Sequence, residues 1–220
     1  MMSIAEIEAH LAHSDPKVRM RGITALRQYS ADVAVPLLAS RQTDQASMVR
    51  SFVAMGLGYQ RNAEAFETLV TMLQTELNAN IRSEVANALT KYGRVSMPYI
   101  QAAFDVYPDW LMRMSILLAL TEMDAPQELF QLCLSAFVDP NLTVRETGVK
   151  CLGFLADSEM AEDALLHLLA FALSNTWQVR QQVAIALQKF SDPRAAEALS
   201  QLCQDPDYRV VSAVLDGMLA

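Results

Sequence analysis

The sequence holds little that would break, cross-link or insert it. Seven glycines and eight prolines in 220 residues, against 52% hydrophobic residues, exclude a mostly disordered chain and leave enough apolar material for a substantial core. Three cysteines, Cys133, Cys151 and Cys203, are too few and odd in number for a disulfide framework, and they suit a reducing, cytoplasmic setting. No uninterrupted apolar run reaches 18 residues, so no membrane insertion is expected. The first ten residues, MMSIAEIEAH, lack the basic start of a secretory signal. Basic residues are outnumbered, 17 to 25, for a formal charge of -8. A general nucleic-acid binder needs clustered Lys and Arg for phosphates, so nucleic acid is not an expected partner. Aromatics make up only 7%, while the abundant Ala, Leu and Met favour helices.

What the chain has instead is a repeat. An apolar residue followed by arginine recurs at Val18-Arg19, Val49-Arg50, Ile81-Arg82, Met112-Arg113, Val144-Arg145 and Val179-Arg180, with a looser copy at Arg209. The arginines lie 31, 32, 31, 32, 35 and 29 residues apart. Four residues after each stand Ile23, Ala54, Ala86, Leu117, Val149, Ala184 and Ala213. Seven after stand Leu26, Leu57, Leu89, Leu120, Leu152 and Leu187, with Asp216 in the last copy. These positions share one helical face. Breaks or caps precede the helices at Asp15-Pro16, Asn78, Asp109, Asn141, Thr176 and Asp205-Pro206. Shorter helical patterns cover roughly 3–12, 33–42, 63–76, 96–106, 126–138, 161–173 and 194–203. The reading is a single domain over 1–220, divided into helix-pair units at 1–31, 32–61, 62–94, 95–124, 125–157, 158–191 and 192–220. No pair hides its apolar face alone, so stacking in a row is the natural solution.

The tetratricopeptide and ankyrin patterns are absent. DPKVRMRGITAL, SMVRSFVAMGLG, NIRSEVANALTKYG, LTVRETGVKCLGFL and WQVRQQVAIALQKF instead resemble HEAT repeats, of the short type found in phycobilisome-lyase-like proteins. The resemblance implies an all-α fold, a right-handed α-α superhelix (α-solenoid) of about seven helix pairs. The stretch VRSFVAMGLGYQRN resembles a cyanobacterial adaptor-type member. Some members handle bilins on phycobiliproteins as lyases, detaching factors or chaperones. Others are non-catalytic adaptors, including ones connected with iron–sulfur assembly. The expected function is therefore a protein-binding adaptor or scaffold. The alternative is a bilin lyase or related factor, with a bilin as its chromophore.

A buried arginine must be paired. Arg19, Arg50, Arg82, Arg113, Arg145, Arg180 and Arg209 are accordingly expected to be structural, bonding acids and carbonyls at neighbouring repeats. In HEAT-like arrays the opposite face of the second helices is the concave wall, and positions two, five and nine after each arginine point there. Phe52, Met55 and Tyr59 make an apolar patch on that wall. Glu84, Asn87, Lys91 and Glu122 lie beside it, and Leu118 and Phe154 extend it. Trp110 and Trp177, three before their arginines, either pack a seam or anchor a partner. Met and aromatic side chains are good recognition material.

No chemical site stands out. The cysteines lack CxxC or Cys/His spacing, and His10, His13 and His167 form no zinc motif. No P-loop, dinucleotide fingerprint or Gly-x-Ser-x-Gly elbow is present. Glu84, Glu122 and Glu146 are ordinary helix glutamates before they are acid catalysts. For a bilin, Tyr59, Phe52, Lys91 and Arg61 offer apolar faces and cations for its propionates. No catalytic residue, metal or resident cofactor is expected.

Overall fold

A computed structural model of the chain describes residues 2–218. Fourteen α-helices follow one another: α1 (Ile4–Leu11), α2 (Pro16–Ala25), α3 (Ala31–Ala39), α4 (Ser47–Gln60), α5 (Ala63–Thr75), α6 (Ala79–Thr90), α7 (Met97–Val106), α8 (Trp110–Leu120), α9 (Pro126–Phe137), α10 (Leu142–Leu152), α11 (Ala161–Phe171), α12 (Trp177–Leu187), α13 (Pro193–Leu202) and α14 (Tyr208–Met218). Among the described residues there is no strand. The fold is all-α and repeat-packed, of the HEAT-like solenoid class.

The helices start where short polar side chains can satisfy free amides. Ser3 and Glu6 form a reciprocal capping box ahead of α1. Asp15 accepts from the Lys17 amide, Asn78 from Asn80 and Ile81, and Asn141 from Thr143 and Val144. Two expected caps differ. Thr176 makes no side-chain cap bond. At the last helix the cap is Asp207, which accepts from the Arg209 amide at 3.0 Å. Asp205 accepts instead from the Asp207 amide, because α14 begins at Tyr208 and Asp207 directly precedes it.

The chain packs as two compact units, the first ending at Ile116 and the second beginning at Leu117. In the first, α2 packs on α4 and α4 on α6, while each second helix also covers its own first helix. In the second, α10, α12 and α14 stack in the same way against α9, α11 and α13. The leucines seven after each arginine are the centre of these seams. Leu26, Leu57 and Leu89 in the first unit, and Leu120, Leu152 and Leu187 in the second, are fully buried. Each contributes roughly 1.5–3 kcal/mol of gross burial. The α4–α6 seam uses a missing side chain: a Cβ on Gly58 would sit 2.8 Å from the Ala88 Cβ.

The arginines run beside these seams, and Arg19, Arg50, Arg82 and Arg180 each link their helix pair to the next. Arg19 donates to the carbonyls of His13 and Ser14 at 2.8 and 2.9 Å, and to Asp44 at 2.8 Å. Asp44 also takes the Ala46 amide, and its own carbonyl accepts from Arg50 at 2.7 Å. Arg50 then forks onto Glu76, Nε to Oε2 at 2.7 Å and Nη2 to Oε1 at 2.9 Å. Glu76 repeats the pattern, taking the Asn78 amide while its carbonyl accepts from Arg82. Arg82 pairs with Asp109 and lies over the Tyr107 ring. Arg113 donates through Nε to the Phe104 carbonyl at 2.8 Å.

In the second unit Arg180 donates to the Ser174 carbonyl and forks onto Asp205 at 2.6 and 2.8 Å. Arg145 bonds only the Asp139 and Pro140 carbonyls among the described residues. Six residues before the next arginine, where Asp44 and Glu76 stand in their repeats, the chain has Ser174. Arg209 pairs with Asp207 beside it and lies 3.3 Å from the centroid of the Trp177 ring.

The ladder carboxylates are nearly sealed, with side-chain exposures of 5% for Asp44, 6% for Glu76 and 4% for Asp205. Burial pushes Asp44 and Glu76 upward, but the bonds from Arg19 and Arg50 and from backbone amides outweigh it. Both end below their ordinary 3.8 and 4.5. The Arg180 fork holds Asp205 below 3.8 against its burial. A carboxylate whose pKa is depressed by folding adds stability above its unfolded pKa and loses it as pH falls through its folded pKa. Melting temperature is therefore expected to hold near neutral pH and to fall once pH drops below about 4–5. Glu76→Gln should shrink that acid loss in a pH series of thermal melts. Glu76→Ala should cost about 2–4 kcal/mol in urea unfolding, less than a fully buried pair because Arg50 keeps the Asp44 carbonyl. A cost within about 0.5 kcal/mol, typical of neutral surface changes, would show that the pair does not hold the seam.

Candidate functional site

The face of α2 and α4 turned away from the arginines carries a groove. Its floor is Ile23, Leu26 and Leu38, and its walls are Phe52, Met55 and Tyr59. Leu38 reaches the floor because position 56 is glycine. A Cβ there would lie 2.9 Å from Leu38 Cδ2. A short 3-10 turn, Leu26–Gln28, closes one end. Gln60 fastens that turn to α4 by donating to the Leu26 and Tyr29 carbonyls at 3.2 and 3.3 Å. The groove holds ≈ 270 Å³. Met55 and Tyr59 are 47% and 49% exposed, well above what an apolar side chain in a finished core shows.

Phe52, Met55, Tyr59 and Lys91 are thus brought together on one lining. Glu84 and Asn87, on α6 before Lys91, are half-buried and outside that lining. Trp110, at the start of α8, is 46% exposed and also outside it. Leu118, Glu122 and Phe154 belong to the second unit. There Leu118 and Phe154 are exposed, and the Lys189 ammonium stands 3.5 Å from the Phe154 ring centre. Not every position of the three rows is open: Thr147, two after Arg145, is buried and donates to the Thr143 carbonyl. Trp177 is half-buried beneath Arg209.

Sequence reasoning missed Arg27, Gln60 and the Gly56–Leu38 contact. Arg27 lies eight after Arg19 and stacks 4.5 Å from the Tyr59 ring centre. Its spacing offered a signal, since position eight follows position five on a helix, but the 3-10 turn that aims it has none.

Chemistry-bearing groups elsewhere are packed or scattered. Among the described residues no three His, Cys, Asp or Glu side chains come together as a metal site. Burial raises the Cys133 thiol well above its ordinary value and that of Cys151 to about 12. Cys151 donates to the Leu117 carbonyl at 3.7 Å. Burial also raises Tyr92, to about 12, against the nearby Arg61 charge, and Tyr92 donates to the Leu57 carbonyl. Glu146 is raised by burial as well, with Arg145 opposing. No helix is long and apolar enough to cross a membrane among the described residues.

The model for HEAT repeats matches residues 36–121 and 126–218. The chain belongs to the HEAT-repeat family. No curated protein matches it. Several solved HEAT-like chains have the same fold at low identity. YibA of Escherichia coli is 17% identical, with a TM-score of 0.63 over 99% of this chain and 86% of YibA. The complex of CpcE and CpcF of phycocyanin lyase from Nostoc sp. is 19% identical, with a TM-score of 0.56 over 100% of this chain and 88% of the matched one. Kap121p bound to Nup53p is 14% identical, with a TM-score of 0.57 over 98% of this chain and 29% of that chain. At these identities the likeness concerns the fold.

In this HEAT-repeat chain the three thiols should separate cleanly by access. Cys203 is half-exposed, while Cys133 and Cys151 are buried. A thiol reagent such as dithionitrobenzoate should label one cysteine per native chain quickly and the other two only on unfolding. Fast labelling of all three would show that the α9–α10 seam opens readily.

Proposed function

We propose that the protein is a non-catalytic adaptor or scaffold that docks a protein partner in the groove between α2 and α4. The observation that carries this reading is the exposure of Met55 and Tyr59 on an otherwise finished apolar floor. Adaptable Met beside a rigid aromatic ring suits an anchor pocket. The volume of ≈ 270 Å³ falls below the roughly 300–1,000 Å³ of sites that engulf small molecules. A partner that inserts a side chain fits better than a ligand to be enclosed. Two of the structures with this fold are recorded as protein complexes, which supports the same direction. In this reading the seven units of 1–220 act as one domain in the cytoplasm, the arginine series keeps the repeats in register, Glu84, Asn87 and Trp110 of the first unit widen the contact, and Leu118, Glu122 and Phe154 offer partner-binding surface on the second.

The second reading is a bilin-handling factor acting on phycobiliproteins. It is favoured by two cations, Arg27 and Lys91, beside the aromatic walls of one groove, an arrangement that matches an apolar chromophore with two propionates. The partner of the adaptor would then be a phycobiliprotein rather than, for example, an iron–sulfur assembly protein.

Both readings meet in one experiment. The tagged chain and its Met55→Glu/Tyr59→Glu variant are used to capture partners from a lysate of the source organism, with absorption spectra of the eluates. The adaptor reading expects a stoichiometric, colourless partner that the variant loses by about 30-fold, as a hot-spot pair should. A visible bilin band lost with the variant would favour the second reading. Undiminished capture by a variant with an unchanged melting temperature would remove the groove from the function.

A further inference from the structure

We infer that the segment docking in the α2–α4 groove is acidic: an apolar side chain seated against Phe52 and Met55, flanked by carboxylates received by Arg27 and Lys91. This rests on the groove being a docking site and adds the chemistry of what docks. The argument begins with charge. The chain carries 25 acidic and 17 basic residues, yet the groove lining contains two cations and no carboxylate. Such local inversion of an overall negative charge selects the sign of a partner.

The two cations are also unspent. Arg19, Arg50, Arg82 and Arg180 each engage a carboxylate within the fold. Among the described residues neither Arg27 nor Lys91 has an ion pair or a side-chain hydrogen bond. What holds Arg27 is the Tyr59 ring, 4.5 Å from its guanidinium carbon. Stacking uses the face of the guanidinium and leaves its in-plane donors available for the two oxygens of a carboxylate. A stacked arginine loses less freedom when it binds, which favours the contact. Lys91 follows the last turn of α6, where the helix dipole favours a cation without requiring a side-chain partner. The apolar floor therefore lies beside a planar donor and a point charge. An apolar side chain seated on this floor brings the residues that flank it to the two cations, where carboxylates would be received.

Three fluorescein-labelled peptides test the inference on the full chain by anisotropy. All share a central Leu-Phe pair, flanked on both sides by glutamates, glutamines or lysines. The glutamate peptide should bind about tenfold more tightly than the glutamine peptide and lose that advantage as salt rises. The lysine peptide should bind weakest. Arg27→Gln/Lys91→Gln should remove most of the glutamate peptide's advantage over the glutamine peptide, both measured on that variant. Equal binding of glutamate and glutamine peptides, preference for lysine, no binding by any peptide, or indifference to the double variant would each overturn it. The two failures are separable. If Met55→Glu/Tyr59→Glu loses the captured partner while the peptides bind equally, the groove docks a partner but charge does not choose it. If capture is also unaffected, the groove is not the docking site.

Discussion

One interaction recurs wherever two helix pairs meet in the first unit: an arginine held by a carboxylate of the next repeat and a carbonyl of its own. Its consequence is geometric. Asp44 and Glu76 each receive an arginine from the repeat before, cap an amide two residues on, and offer their own carbonyl to the following arginine. A linker that meets these demands together has few conformations left. Apolar seams alone would tolerate sliding, because burial is not directional. A forked guanidinium–carboxylate pair is directional, so it fixes the rotation at which the leucines interlock. The groove on the opposite face depends on that rotation.

Much of this was legible because the repeat writes it several times. Arginine spacing and the leucines seven positions later located the second helices, and Asp, Asn and Pro located their starts. The departures have local physical causes. Ser174 stands where Asp44 and Glu76 stand in their repeats, so Arg145 is left with carbonyls. The helix α14 begins two residues after Pro206, at Tyr208, so Asp207 caps it while Asp205 takes Arg180. Phe52, Met55, Tyr59 and Lys91 could be grouped from helical periodicity. Arg27 and Gln60 could not, because the 3-10 turn Leu26–Gln28 aims the one and supplies a carbonyl to the other. Irregular turns break the period on which such reasoning depends.

Burial and pairing also govern the groups that titrate. The thiols of Cys133 and Cys151 fill seams and are pushed away from the thiolate by burial. The carboxylates of Asp44, Glu76 and Asp205 are held in their charged form by arginines. What remains open is surface of a particular kind: soft, aromatic and locally positive in a negatively charged chain. Recognition draws on such surface; bond-breaking needs groups held ready to exchange protons or electrons.

The missing carboxylate at Ser174 has one further effect. Arg19, Arg50 and Arg82 each tie the next linker to their own repeat, and the first four intervals between arginines are 31 or 32 residues. Across the junction that leads through Ser174 the interval stretches to 35, and the exposed Leu173 and Asn175 flank the serine. With no acid there for Arg145 to grip, length is free to vary without unmaking an ion pair. The longest interval of the series therefore falls at a junction that no ion pair from Arg145 spans.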